Sequence, residues 1–297
     1  MRSRVRFTYA ASITVLAAVA CTSSPDEPAS AGGAESGGSS TEVRDDLMEV
    51  FEEARVVGTF VVYDPDSDSS IVVNADRAEE RMVPASTFKV AHSLIALETG
   101  AAEDVDEVIP YEGGESRFPD EWEQDMSMRE ALPESNLLIY QVIAARIGLD
   151  RMREHVELLE YGNAEIGDVI DEFWLFGPLE ISAREQVRFL SRLATGELPV
   201  AEENQEHVRD ITLVEERDDC RLHAKTGWAF DLEPQRGWWV GWVACGAAPG
   251  HPGQVVATSQ VRAFALNIDI EQDDQADLRE PIARELLDRL DVYSARA

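Results

Sequence analysis

Ser86 and Lys89 stand three residues apart at the head of an apolar run with helical spacing, PASTFKVAHSLIAL (residues 84–97). On a helix that spacing puts two side chains on one face, one turn apart. A serine hydroxyl becomes a nucleophile only beside a base. Lysine can be that base where apolar surroundings disfavour its charged form, whereas arginine keeps its proton in proteins. Amides at a helix start also offer donors to a developing oxyanion. Ser-x-x-Lys alone is a weak signal, because polar pairs at this spacing arise often by chance. The lysine census strengthens it: of 26 basic residues only two, Lys89 and Lys225, are lysine. Whatever the origin of the arginine bias, a lysine retained against it is a candidate for chemistry that arginine cannot supply. Lys225 opens the strand-like Lys-Thr-Gly of HAKTG, with Thr226 and Gly227.

Strands and helices must position these groups. RVVGTFVVYD and SSIVVNAD read as two strands joined by the turn PDSDS. STFKVAHSLIALETG reads as a helix capped by Ser86 or Thr87 and stopped by Gly100. After a long polar stretch, 101–130, which holds Trp122, helical spacing returns in NLLIYQVIAARIG, LDRMREHVELLEYG and SAREQVRFLSRLATG. CRLHAKTGW, GWWVGWVAC and VVATSQVRAFALNIDI are strand-like, and REPIARELLDRL is a closing helix with Pro281 in its first turn. This order predicts an α+β fold: an antiparallel sheet built from both chain ends and flanked by helices, with a mostly helical subdomain inserted at about residues 85–195. No Walker loop, no G-x-G-x-x-G opening a helix and no metal-ligand spacing among the five histidines is found, so no metal is expected.

The net charge of −32 argues against nucleic acid and against an anionic membrane surface as partners. No residue pattern specifies an oligomeric state. MRSRVRF followed by TYAASITVLAAVAC has the charged, apolar and small-residue regions of a secretory signal over residues 1–21. LAAVAC resembles a bacterial lipobox. Cleavage before Cys21 with lipid on its thiol, and hence a membrane link through that anchor alone, is the first expectation; ordinary secretion to the periplasm or medium is the second. Residues 22–43 lack large apolar groups and read as a flexible tether, leaving 44–297 as the folded domain. In an oxidising compartment Cys220 and Cys245 form an even pair. In a hairpin centred on AFDLEPQR, Trp228 faces Gly237 and Cys220 faces Cys245, within disulfide reach. A bulge in that loop would shift the register and leave two separate buried thiols, and the sequence leaves both arrangements open.

Ser-x-x-Lys and Lys-Thr-Gly occur together in penicillin-recognising serine enzymes. With SNL, YGN, FWLFGPLEISAREQVRFL, KTGW and GWWVGWV in order, the chain from about residue 50 to 290 resembles the class D, oxacillinase-type, serine β-lactamases. The resemblance implies the serine β-lactamase/penicillin-binding-protein-like fold and a β-lactam as the small-molecule substrate. It makes Ser86 the acylated nucleophile and Lys89 an N-carboxylated general base formed with CO₂ or bicarbonate, with no other cofactor. It gives Trp174 the task of holding that carbamate through its indole N–H, which has one donor and no acceptor. Trp174 alone would read as a core aromatic. Ser135 would relay a proton to the leaving nitrogen; it also suits the N-cap of NLLIYQV. Leu137 replaces the valine usual there and would crowd the carbamate. Tyr161, Gly162 and Asn163 match an architectural Tyr-Gly-Asn. Lys225, Thr226 and Arg279 would hold the substrate carboxylate, and the backbone N–H groups of Ser86 and Trp228, the latter following Gly227, would form the oxyanion hole. Without the resemblance Arg279 would read as a surface arginine near a helix start. A β-lactam sensor or penicillin-binding protein that is acylated but deacylates slowly is the alternative.

Overall fold

The computed structural model describes residues 39–113, 119–246, 253 and 260–293. The signal segment, Cys21 and the tether up to residue 38 lie outside the described residues.

A seven-stranded mixed sheet forms the centre: β1 (Ser40–Val43), β2 (Gly58–Asp64), β3 (Ser69–Val73), β4 (Leu213–Arg217), β5 (Cys220–Ala229), β6 (Gln235–Cys245) and β7 (Gln260–Ile270). Their spatial order is β1-β3-β2-β7-β6-β5-β4. The sheet is antiparallel as expected except at its edge, where β1 runs parallel to β3. β1 occupies the last four residues assigned to the tether, so folded structure begins earlier than the composition implies. Backbone bonds explain it: Ser40 N–H donates to Asp68 O at 3.1 Å and Arg44 N–H to Val72 O at 2.8 Å, which requires no apolar side chain.

Side chains alternate across the sheet because successive strand residues point to opposite faces. On one face Phe60, Val62, Trp239, Phe264, Leu266 and Ile268 pack with Val50 and Phe51 of helix α1 (Met48–Ala54) and with the closing helix. On the other, Val61, Trp238, Val240, Trp242, Ala263 and Ala265 meet the helical insertion. That insertion comprises α2 (Ala75–Ala78), α3 (Lys89–Glu98), α4 (Met128–Ala131), α5 (Leu137–Ile147), α6 (Leu149–Leu158), α7 (Phe173–Phe176), α8 (Ala183–Thr195) and α9 (Glu202–Ile211). It therefore extends beyond 85–195 at both ends. α8 lies against β7, where the small Ala263 and Ala265 allow close approach. A Ser182–Glu185 capping box starts α8, and Gly196, at φ 75°, ends it. The closing helix, α10, spans Arg279–Arg289.

β5 and β6 pair without a bulge over ten consecutive positions, from Cys220↔Cys245 to Ala229↔Arg236. The structure bonds Cys220 to Cys245 at the end of this ladder away from the hairpin loop, with their Cα atoms 4.0 Å apart.

Candidate active site

Ala85–Phe88 form a 3₁₀ turn that runs directly into α3. The sequence leads one to expect a Ser86 or Thr87 cap; the structure shows neither. Thr87 N–H and Thr87 Oγ1 both bond to Pro84 O, at 3.2 and 2.7 Å, which closes the turn locally. Ser86 is thereby left free of capping, and Lys89 Nζ donates to its Oγ at 2.8 Å. The residue before it, Ala85, holds the left-handed conformation at φ 49°, unfavourable for a residue with a Cβ and characteristic of positions that tertiary structure over-determines.

Lys89 is wholly buried. Burial, and next the nearby positive Lys225, push its amine well below the ordinary lysine range. Its Nζ lies 5.3 Å from the centroid of the Tyr140 ring. Trp174, from α7, is also fully buried, stacks on Phe88 at 5.9 Å between centroids, and has an indole N–H without an acceptor.

Ser135 is left-handed, at φ 59°, and does not cap α5. Asn136 does so instead, its side-chain oxygen accepting from Ile139 N–H at 3.2 Å. The Ser135 hydroxyl is thus available to Lys225 Nζ, which donates to it at 2.9 Å and to Thr226 O at 3.0 Å. Burial, and then the positive Arg279, lower the Lys225 amine to about 7. Arg279 Nη1 donates to Gly227 O at 2.8 Å, its Nε bonds Ala276 O, and its guanidinium lies 5.8 Å from the Trp228 ring centroid. Gly227 is where β5 meets the nucleophile's turn: a Cβ there would lie 2.9 Å from both Pro84 O and Thr87 Cγ2. A side chain at this position would push the strand away from Ser86.

Tyr161, Gly162 and Asn163 stand behind these groups and do not line the cleft. Tyr161 is buried edge-on to Phe88 at 5.4 Å, and its hydroxyl accepts from Gln186 Nε2 at 3.2 Å. The same Gln186 amide donates to Thr87 Oγ1 at 2.9 Å, tying α8 to the turn. Gly162, at φ 57°, has no room for a Cβ, which would sit 2.1 Å from Glu180 O. Asn163 accepts from Glu180 N–H at 3.0 Å and donates to Pro178 O at 2.8 Å. These bonds hold the segment that follows Trp174.

Ser86, Ser135, Leu137, Thr226, Gly227, Trp228 and Arg279 share one cleft of about 300 Å³. Pro119, Trp122, Leu175 and Phe230 complete its wall. Those four are not marked out by the sequence, although a tryptophan in the otherwise polar stretch 101–130 is a signal that could have found Trp122. Among the described residues no group of three or more His, Cys, Asp or Glu gathers in a metal-binding arrangement.

A family model of the penicillin binding protein transpeptidase domain matches residues 58–288. Beta-lactamase OXA-5 from Pseudomonas aeruginosa is 37% identical over 240 residues, covering 80% of this chain and 85% of that protein. Beta-lactamase OXA-48 from Klebsiella pneumoniae is 35% identical over 237 residues, covering 80% and 84%. Among solved structures, FUS-1 (OXA-85), a class D β-lactamase from Fusobacterium nucleatum subsp. polymorphum, matches with a TM-score of 0.78 and 41% identity over 85% of this chain and 100% of that one. The class D β-lactamase YbXI from Nostoc matches with a TM-score of 0.75 and 35% identity over 83% and 99%. With this likeness running through the sheet, the insertion and the cleft between them, the chain belongs to the class D β-lactamases, serine hydrolases with the penicillin-binding transpeptidase fold.

Proposed function

We propose that the chain hydrolyses β-lactams through a Ser86 acyl-enzyme, with N-carboxylated Lys89 as the general base. The observation that carries this reading is the buried Lys89 amine, 2.8 Å from Ser86 Oγ, together with the unpartnered indole N–H of buried Trp174, which stacks on Phe88, the residue before Lys89. A neutral amine is a nucleophile towards CO₂: the C–N bond forms, one proton leaves to solvent, and the resulting anion can take the Ser86 proton. The orphaned Trp174 donor suits an anionic oxygen at the end of Lys89.

Ser86 Oγ then attacks the lactam carbonyl carbon, with the backbone N–H groups of Ser86 and Trp228 receiving the developing oxyanion. The leaving nitrogen takes its proton from Ser135, whose hydroxyl the Lys225 ammonium orients. Lys225, Thr226 and Arg279 bind the substrate carboxylate, the planar guanidinium being suited to two-point contact. A water deprotonated beside Ser86 hydrolyses the ester and frees the enzyme. Leu137, on the cleft wall and 7% exposed, limits the room for that water. Export is part of the same proposal, with lipid on Cys21 as its first form, and the Cys220–Cys245 disulfide fits an oxidising compartment.

Turnover of a chromogenic β-lactam by the purified protein, with and without added bicarbonate, tests the reading. Sustained turnover stimulated by bicarbonate is expected. A stoichiometric burst without turnover would replace it with the slowly deacylating sensor. Turnover indifferent to bicarbonate and retained in Lys89→Ala would remove the carbamate.

A further inference from the structure

His92 lies one turn beyond Lys89 on α3, fully buried, and neither ring nitrogen has a hydrogen-bond partner. Its ring is walled by Phe88, Tyr140 and Trp174, with centroids 5.5, 5.3 and 5.3 Å away. Burial, and next the charge of Lys89, lower it to about 3, so at neutral pH the ring is uncharged and carries one N–H. Unmatched buried donors are rare in folded proteins because each costs its desolvation. Two of them belong to His92 and Trp174, whose ring centroids lie 5.3 Å apart, and Tyr140, which also packs on His92, is 5.3 Å from Lys89 Nζ.

The other polar groups of the pocket are already engaged. Ser93 Oγ donates its single proton to Lys89 O at 2.8 Å, so in the 2.7 Å contact between the two hydroxyls Tyr140 is the donor. Tyr140 therefore has no proton left to offer, while His92 and Trp174 each have one. A carboxylate on Lys89 Nζ would bring two acceptor oxygens towards an aromatic cluster with two spare donors.

We propose that His92 is a positioning residue for Lys89, its ring N–H serving as a second donor, beside Trp174, to the carboxylate carried by that lysine. The inference rests on the carbamate reading and adds a partner to it. It also accounts for a histidine in an otherwise apolar wall: the ring supplies an N–H donor that a phenyl ring at that position would lack.

The test compares the wild type with His92→Phe, which keeps a ring and removes the donor, and His92→Asn, which restores one. Two quantities are read: the ¹³C carbamate resonance after equilibration with ¹³C-bicarbonate, and the bicarbonate concentration giving half-maximal turnover. A hydrogen bond to a charged group is worth about tenfold in affinity. His92→Phe should therefore raise the half-maximal concentration about tenfold and weaken the resonance at ambient CO₂, with His92→Asn recovering both. Thermal melting of each variant accompanies these readings. Unchanged bicarbonate dependence in His92→Phe overturns the assignment, as does equal weakening in both variants, which would mark a packing role. A wild type lacking the resonance would remove the carbamate reading as well, which separates the two failures.

Discussion

Lys89 and Lys225 are both buried, and both donate to a serine hydroxyl, yet their surroundings differ in kind. Around Lys225 the polar groups are matched: it bonds Ser135 Oγ and Thr226 O, and Arg279 bonds Gly227 O. Around Lys89 the walls are aromatic and two buried side chains keep donors without acceptors. Both lysines lose affinity for the proton first through burial, and under the proposed carbamate reading the spare donors beside Lys89 would receive a group that the twenty side chains do not supply. One residue type would thus serve two ends in the proposed mechanism: one amine to be consumed chemically, the other to hold charge below about pH 7.

The sharpest way to break the contrast is Lys89→Arg. A guanidinium cannot lose its proton or take up CO₂, so kcat should fall by about 10²–10⁴-fold, measured by single-turnover acylation and steady-state hydrolysis. Lys225→Arg should be far milder, since charge is what that position supplies. Equal losses at the two positions would erase the distinction.

Cys220→Ala removes a covalent link between residues 25 apart and should cost about 3 kcal/mol of stability in denaturant unfolding, with the Lys89 chemistry preserved in the folded fraction. A loss of kcat in protein shown to be folded would mean that the far end of β5 sets the geometry around Lys225.

Arg279→Leu should lower kcat/KM for carboxylate-bearing β-lactams by about tenfold, through one lost charge-assisted contact. It also bears on pH. Lys225 is cationic below about 7 and neutral above, so in the parent enzyme kcat/KM falls as pH rises through that value. Removing the positive Arg279 takes away the second cause of that lowering and should move the alkaline limb upward. Stability runs the other way: between about 7 and 10.5 the unfolded chain holds the Lys225 proton that the folded chain lacks, so folding gains with rising pH. The smallest effect is expected from Leu137→Val, which removes one methylene at a cost of ~1 kcal/mol and gives water more room, so deacylation measured by stopped flow should quicken.

Much of this site is legible in the amino-acid sequence, because its chemistry needs particular side chains. Ser86, Lys89, Lys225 and Thr226 stand out through residue type and spacing, and Trp174 through the segment around it. The rest is set by tertiary contacts. Whether Ser135 or Asn136 caps α5 is undecidable from two adjacent residues that both favour N-caps. β1 is exposed along its whole length and has no apolar alternation to announce it. β4, half-exposed beside a helix of similar polarity, is hidden for the same reason. His92 reads as one more buried residue of an apolar helix, and its unmatched nitrogens emerge only when Tyr140 and Trp174 arrive from distant segments.

The unbroken β5–β6 ladder has a further consequence for how such a cleft can diversify. Register is fixed at the Cys220–Cys245 end, remote from the reaction, so the phase of Lys225 and Trp228 does not depend on the loop that joins the strands. That loop begins at Phe230, which already forms part of the cleft wall. Residues there can be exchanged, added or removed to reshape the entrance for bulkier or smaller guests while the reacting atoms stay where they are. The hairpin is anchored at its base and variable at its tip, and inheritance can tinker with the tip alone.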